Sequence, residues 1–490
     1  MSLFVQIKKL LSDSAIYGLS GVLTRFISVF LTPIYTRIYT PDDYGVISIL
    51  TNGYILVSII LVFSLDASTA RWYFDTDSRE RRKKVINTWI WFYFFSSLFF
   101  GALLFFSADF LQQRFLPNEE EGAWFIQLIS LCLPMTVWTT VAVNVLRFEL
   151  EAKKSVALSL IQSLVLIGFN VLFVVILRWG LSGIYYAQLV STLILIPLAY
   201  YFLRNWIGSP SWFDSSLFRG MFKFAVPFIP ASLGYWVVNL SGVFFLNELM
   251  DQREVGLYQI GISIASVAGL ATTAFQQAWP PFAFSILHQP NAKQVFAVSL
   301  QVYLLLVGMF CTFISVFSLE ALKILTTPDY YEATLVASIL TFNALLLGLG
   351  SISTLGATIE KKTTPVGLIH LLSSLVLVGL NFLLIPWIGK EGAALAVCFS
   401  QLLIPAYMFW KSQQYYFIPF DFLKNSVILL IFIGVVFASY WLPSESFFLS
   451  VILKLILLSF ATGLISLMIK KELLLVKNLV FSRFKASSIE

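Results

Sequence analysis

The sequence predicts an all-α polytopic membrane protein with 14 transmembrane helices. Three observations carry this. The chain of 490 residues is 58% hydrophobic and only 12% charged, with a mean hydropathy of +0.85, against ~25% charged residues in soluble domains. Its apolar stretches recur at about 20 residues, the length that crosses a bilayer as a helix. Lys and Arg alternate between rich and poor loops: 24 of the 32, counting Lys223 at the edge of the seventh span, fall at the N-terminus, in every second loop and in the C-terminal tail, and 6 in the opposite loops. That bias predicts both termini in the cytoplasm.

A short interfacial helix is expected first, with Leu3, Phe4, Ile7, Leu10 and Leu11 at helical spacing beside Lys8 and Lys9. The predicted spans follow at 14–35, 46–67, 85–106, 123–146, 155–177, 184–203 and 220–246. A second series runs at 257–280, 295–318, 333–356, 364–385, 392–410, 425–442 and 447–469. The seventh holds Pro227 and Pro230, and the eighth ends in Pro280-Pro281; membrane helices tolerate proline where neighbours re-satisfy the freed carbonyls. Tryptophans such as Trp72, Trp124, Trp206 and Trp441 gather near span ends as an aromatic belt. The run Arg79–Lys84 reads as a topology anchor touching anionic lipid, with no nucleic-acid partner.

The chain repeats itself weakly at a period near 210. Asp43-Tyr44-Gly45 matches Glu254-Val255-Gly256 at an offset of 211, and Asn170 with Gly180 and Gly183 matches Asn381 with Gly389 and Gly392 at offsets of 211 and 209. Ile196-Pro197 matches Ile404-Pro405 at 208. Each unit holds six spans, an even number, so the halves are expected to be parallel and related by a pseudo-two-fold axis along the membrane normal. The expected organisation is one six-helix bundle over 1–210, a second over 211–412, and two added helices with a tail over 413–490. Two facing bundles enclose a cleft suited to alternating access.

The first span carries Arg25 near its middle. A charge there costs at least ~2.5–3.5 kcal/mol and persists only against a bundle interior or a wet cavity. The competing structural role is an ion pair with a carboxylate such as Asp66, or capping by backbone carbonyls. Asp66 near the inner end of span 2, with Arg71 five residues on, is a candidate coupling-ion sensor or ion-pair partner. Arg37 and Arg147 stand at opposite mouths, where they escort an anion or snorkel. Trp236 falls near the repeat match of Arg25, and Trp236, Asn239, Gln276 and Gln277 are candidate sugar contacts, set against ordinary packing and helix–helix hydrogen bonding. His370 is expected as a core histidine and Lys454 as a snorkelling lysine. Cys132, Cys311 and Cys398 read as small buried hydrophobes.

Leu31-Thr-Pro33-Ile-Tyr35-Thr-Arg37-Ile-Tyr-Thr-Pro41-Asp-Asp-Tyr44-Gly45, following a span with a central arginine, resembles the polysaccharide-export and O-antigen flippase family. Ala274-Phe-Gln-Gln-Ala-Trp279-Pro-Pro-Phe282 is similar to a stretch of the same family. The resemblance implies a twelve-plus-two helix plan in the superfamily of multidrug, lipid II and oligosaccharide exporters. It implies transport of oligosaccharide linked to undecaprenyl pyrophosphate from the inner to the outer leaflet, for O-antigen and lipopolysaccharide synthesis. Polymerase and ligase partners go with that role; the protein itself is expected to be a monomer among membrane lipids. A pyrophosphate headgroup suits an arginine fork, which makes Arg25 the leading phosphate contact.

No catalytic constellation, metal-spaced cluster or nucleotide-binding loop is visible, so neither an enzyme nor a cofactor is expected. Energy then comes from a proton or sodium gradient, or from removal of product. The alternative function is a cation-coupled exporter of small amphipathic compounds, which calls for more deep carboxylates than Asp66. A membrane glycosyltransferase would need paired carboxylates or a large outer loop.

Overall fold

The computed structural model describes residues 31–226, 229–360, 362, 364–442 and 446–470. Arg25, the interfacial segment and most of the first span lie outside them. Every regular element among the described residues is helical, and 11 helices are long and apolar enough to cross a membrane. Two compact units are formed, residues 1–256 and 257–490.

In the first unit, α1 (Pro41–Val62) starts from a capping box. Thr40 Oγ1 accepts from Asp43 N–H, the Asp43 carboxylate accepts from Thr40 N–H, and Pro41 fills the first turn. At 22 residues it is ~33 Å long, enough for the hydrocarbon core. The span predicted over 46–67 does not run on unbroken. Phe63 and Ser64 take left-handed backbone angles (φ 49° and 54°), and α2 (Leu65–Phe74) restarts beyond them. Each such residue costs ~1–2 kcal/mol. The offset is tertiary: Ser96 Oγ donates to the freed Leu61 carbonyl at 2.8 Å, and the Phe63 ring packs among Phe92, Phe100 and Phe222.

α3 (Arg79–Phe106) begins with the basic run, against its own helix dipole. A short α4 (Ala108–Phe115) follows, then α5 (Gly122–Phe148) and α6 (Ala152–Asn170). The last turns of α6 widen into a π segment over Val171–Ile176 before α7 (Gly180–Leu203). Their shared core holds Trp89, Ile86, Val137, Val141 and Leu158.

The span predicted over 220–246 is three helices: α8 (Ser215–Ala225), α9 (Ile229–Leu240) and α10 (Gly242–Leu249). The sequence explains the first break. Proline offers no N–H and clashes one turn back, so Pro230 belongs in a first turn, where it sits in α9. α8 is amphipathic, with Leu217, Phe218 and Met221 toward the core of the unit and Arg219 and Lys223 elsewhere on its surface.

α11 (Gln252–Ile286) leads into the second unit, where α12 (Ala292–Tyr303) and α13 (Met309–Val316) are joined by a π turn at Leu304–Gly308. α14 (Ser318–Leu325), α15 (Thr334–Ser353) and α16 (Leu355–Ile359) come next. The predicted spans 364–385 and 392–410 are the two helical arms of α17 (Thr364–Tyr415), separated by a reversal at Ile388 and Gly389. Gly389 adopts φ 55°, ψ −134°, a conformation open to glycine. α18 (Phe422–Tyr440) and α19 (Phe447–Met468) place Phe432 and Ile465 in the core of this unit, beside Phe296, Tyr303, Cys311 and Ile352.

Two side-chain expectations also need correction. Lys454 does not snorkel: it is 5% exposed and bonds both carboxylate oxygens of Glu320. A carboxylate partner at depth satisfies it better than a reach to the surface. His370 is exposed on α17 rather than set in a core.

Candidate functional site

The polar groups of the first unit gather where α1–α2 meets α8–α10. Ser64 Oγ, at the left-handed break, lies 3.2 Å from Ser232 Oγ on α9. Asp66 follows in the first turn of α2, where the positive end of the helix dipole favours its carboxylate. It is exposed and within electrostatic reach of the Tyr93 hydroxyl, which in turn contacts Thr140. Further along, Trp236 Nε1–H donates to the Asn52 carbonyl at 3.2 Å, and its ring lies against Phe244. The broken backbone, four hydroxyls and one carboxylate make a polar cluster at this break. Groups of this kind can exchange hydrogen bonds with sugar hydroxyls or attract a cation. Discontinuous helices that aim backbone groups and helix ends at a transport path are a recurrent device in transporters.

The other predicted residues are dispersed. Arg71 pairs with Asp75 at 3.8 Å, not with Asp66, and both side chains are more than half exposed. Arg37 is exposed in the turn before α1, and Arg147 is exposed in the last turn of α5. Asn239 is half-buried on α9. Gln276 is engaged in helix packing: its Nε2 donates to the Leu347 carbonyl at 3.1 Å and to Ser351 Oγ at 2.9 Å. Gln277 beside it is exposed. Arg25 lies outside the described residues. Among the described residues no group of three or more His, Cys, Asp or Glu side chains is placed to hold a metal.

Sequence reasoning missed the Phe63–Ser64 break, the Ser232 contact and the nearness of Tyr93 to Asp66. None carries a proline, a glycine or a charge, the signals such reasoning reads. It also missed the clamp at the basic end. Asn87, fully buried, donates to the carbonyls of Lys83 and Trp206 at 2.7 Å each and accepts from Gly208 N–H at 2.6 Å. Beside it, Arg82 stacks over Tyr73 at 4.8 Å, and Lys83 over Trp212 at 4.9 Å.

The sequence profile of the family described as "Polysaccharide biosynthesis protein" matches residues 34–333, more than half of the chain. The chain belongs to that family. Among curated proteins, no sequence matches it. Among solved structures, it is similar to "Lipid II flippase MurJ, inward closed conformation", with a TM-score of 0.73 and 13% identity over 95% of this chain and 100% of that one. A "multidrug resistance MATE family transporter of the MOP superfamily" in its inward-facing conformation matches with a TM-score of 0.55 and 14% identity, over 83% of this chain and 96% of that one. A "MOP superfamily transporter from Pyrococcus furiosus" matches with a TM-score of 0.51 and 14% identity, over 85% and 96%. At these identities the likeness is one of fold: this member of the polysaccharide biosynthesis family has the helical architecture of MOP-superfamily transporters.

Proposed function

We propose that the protein is a flippase of the bacterial inner membrane, with both termini cytoplasmic. It carries undecaprenyl-pyrophosphate-linked oligosaccharide repeat units from the inner to the outer leaflet by alternating access. One observation carries the reading: a chain of the polysaccharide biosynthesis family has, over 95% of its length, the fold of a solved lipid II flippase. The physical problem is shared. A polyprenyl tail can stay in lipid, while a charged pyrophosphate and a polar glycan need a hydrated path, because bare hydrocarbon removes their water at large cost.

In this reading Arg25 meets the pyrophosphate through paired N–H donors, and Arg37 and Arg147 stand at the two mouths. Asp66, with Ser64, Ser232 and Tyr93, lines the inner part of the path, and Trp236 and Asn239 line its middle. Arg71 is taken up by its pair with Asp75 and Gln276 by helix packing, while Gln277, exposed beside it, stays a candidate sugar contact. The product feeds a polysaccharide polymerase and ligase of O-antigen or lipopolysaccharide assembly. The second reading, a cation-coupled exporter of small amphipathic compounds, draws on the multidrug-transporter matches and on Asp66. Those matches have lower TM-scores and leave more of the chain uncovered.

A deletion strain separates the two. Under the flippase reading it accumulates lipid-linked repeat units on the inner leaflet and is rescued by the wild-type gene. Arg25→Ala, inserted normally, fails to rescue, and Arg25→Lys rescues in part. A deletion with normal leaflet distribution but raised drug sensitivity supports the exporter instead. Full rescue by Arg25→Ala removes the phosphate role of that residue.

A further inference from the structure

Within the first unit, Gly45 and Gly256 occupy equivalent places in the repeat and press on each other's helices. A Cβ on Gly45 would stand 2.0 Å from the Gln252 carbonyl oxygen, and one on Gly256 would stand 1.8 Å from the Pro41 carbonyl oxygen. Pro41 and Gln252 are themselves 211 residues apart, the offset that relates the two glycines. The contact is therefore reciprocal, with each helix start laying its glycine on the other's first carbonyl. The caps repeat as well: Thr40 Oγ1 accepts from Asp43 N–H, and Asp251 Oδ1 accepts from Glu254 N–H. With no side chain between them, the starts of α1 and α11 touch backbone to backbone, the closeness that small residues allow between membrane helices.

A second set of contacts flanks this crossing. Arg114 on α4 pairs with Glu248 on α10 at 2.6 Å, both side chains about half exposed. Asn247 Nδ2 donates to the Phe115 carbonyl at 2.9 Å, and the Phe115 and Phe244 rings meet edge to face at 5.8 Å. The loop after α4 is held by Gln112, whose Nε2 donates to the Glu119 carbonyl at 2.7 Å and whose Oε1 accepts from Ala123 N–H. The charge bias of the loops assigns this whole end to the outside of the cell.

We propose that the Gly45–Gly256 crossing and the Arg114–Glu248 latch together form the outer seal of the transport path, and that both part when cargo leaves. The two layers act differently. The crossing excludes water through backbone contact and tolerates no added methyl group. The latch is an exposed ion pair that closes and opens at small cost, and so biases the seal without locking it. The proposal rests on the transport reading, since a seal implies a path beneath it.

The test uses the full-length protein in cells, with Cys132, Cys311 and Cys398 replaced and Gly53→Cys added. Position 53 lies two helical turns beyond Gly45 on α1, where a Cβ makes an ordinary 3.8 Å contact with Phe244. A membrane-impermeant maleimide is applied from outside. With the seal intact, the cysteine reacts slowly. Arg114→Glu, which sets two carboxylates face to face, raises the rate by roughly three- to tenfold, and Arg114→Glu with Glu248→Arg returns it toward the starting value. Gly256→Ala raises it further. An unchanged rate in both Arg114→Glu and Gly256→Ala, each inserted at normal level, overturns the proposal. If Gly256→Ala does not insert, the charge reversal and its restoration decide alone. Labelling needs no substrate: a responsive seal in a protein whose deletion leaves glycan lipids undisturbed refutes the flippase reading and keeps the seal.

Discussion

Lys454 and Glu320 form a buried ion pair in the second unit. The ammonium lies 2.7 and 2.8 Å from the two carboxylate oxygens, and Ser450 Oγ donates to Oε1 at 2.7 Å. The lysine is 5% exposed and the glutamate 4%. Removing one partner leaves the other charge buried alone, which costs ~3–5 kcal/mol, whereas replacing both with apolar groups of similar size is close to neutral. Lys454→Met is therefore expected to lower the thermal unfolding midpoint of the detergent-purified protein sharply, and Lys454→Met with Glu320→Leu to recover most of the loss. A melting temperature unmoved by Lys454→Met would mean that the pair does not hold α14 to α19.

This pair marks a boundary of what the sequence reveals. Hydropathy locates the spans because bilayer thickness writes a local pattern about 20 residues long. The reversal at Gly389 is legible in Ile385-Pro386-Trp387-Ile388-Gly389, and the repeat exposes Gly45 and Gly256 before their contact is known. The partner of Lys454 is 134 residues away, and nothing local points to it. The Phe63–Ser64 break is hidden for the same reason, since Ser96 and three distant phenylalanines stabilise it rather than a proline or glycine on the spot. The candidate site divides in the same way: Asp66 and Trp236 stood out by residue type, while Ser64, Ser232 and Tyr93 became visible only as neighbours.

Asn87 ties the segment between the sixth and seventh predicted spans to α3, with help from neighbours. Trp91 Nε1–H donates to the Gly208 carbonyl at 3.1 Å, and Asp214 N–H donates to Thr88 Oγ1 at 3.1 Å. Asn87→Ala orphans the Trp206 carbonyl and the Gly208 amide, at ~1–3 kcal/mol for each buried group. The expected result is faster protease cleavage within 204–214, with the remaining spans protected. Asn87→Asp keeps an acceptor for Gly208 but loses both donated bonds and buries a charge, so it is expected to be worse than alanine. Cleavage at the wild-type rate in both variants would show that the segment is held elsewhere.

Leu150 offers a stabilising change. α5 ends in a Schellman arrangement: Glu151 N–H donates to the Leu146 carbonyl at 2.9 Å, Leu150 N–H donates to the Arg147 carbonyl at 3.0 Å, and Leu150 sits at φ 58°. The side chain is 57% exposed and gives little burial in return. Leu150→Gly relieves the left-handed strain and gives back part of it as unfolded-chain entropy, a net gain of about 0.5–1 kcal/mol. A higher unfolding midpoint with unchanged transport is the expected outcome, and a lower midpoint would show that the exposed leucine is covered in the membrane.

Asp214 gives α8 a pH-sensitive cap. Its Oδ1 accepts from Ser216 Oγ at 2.7 Å, Ser216 N–H at 2.9 Å and Leu217 N–H at 3.0 Å. The Ser216 hydroxyl first, then the Leu217 amide, hold the carboxyl below the usual aspartate range, with Lys84 adding attraction. A carboxyl whose folded pKa is depressed stabilises the fold fully above its unfolded value of ~3.9 and loses that contribution as pH falls through the depressed value. The cap should thus be constant from pH 7 to about pH 5 and weaken on further acidification. Asp214→Ala removes the cap at every pH, at ~0.5–1 kcal/mol for a site this open to solvent. Asp214→Asn keeps the accepting oxygen and removes the titration, so its stability relative to wild type should rise as the pH drops toward 3. Parallel stability curves for wild type and Asp214→Asn over that acid range would show that this carboxylate does not cap α8.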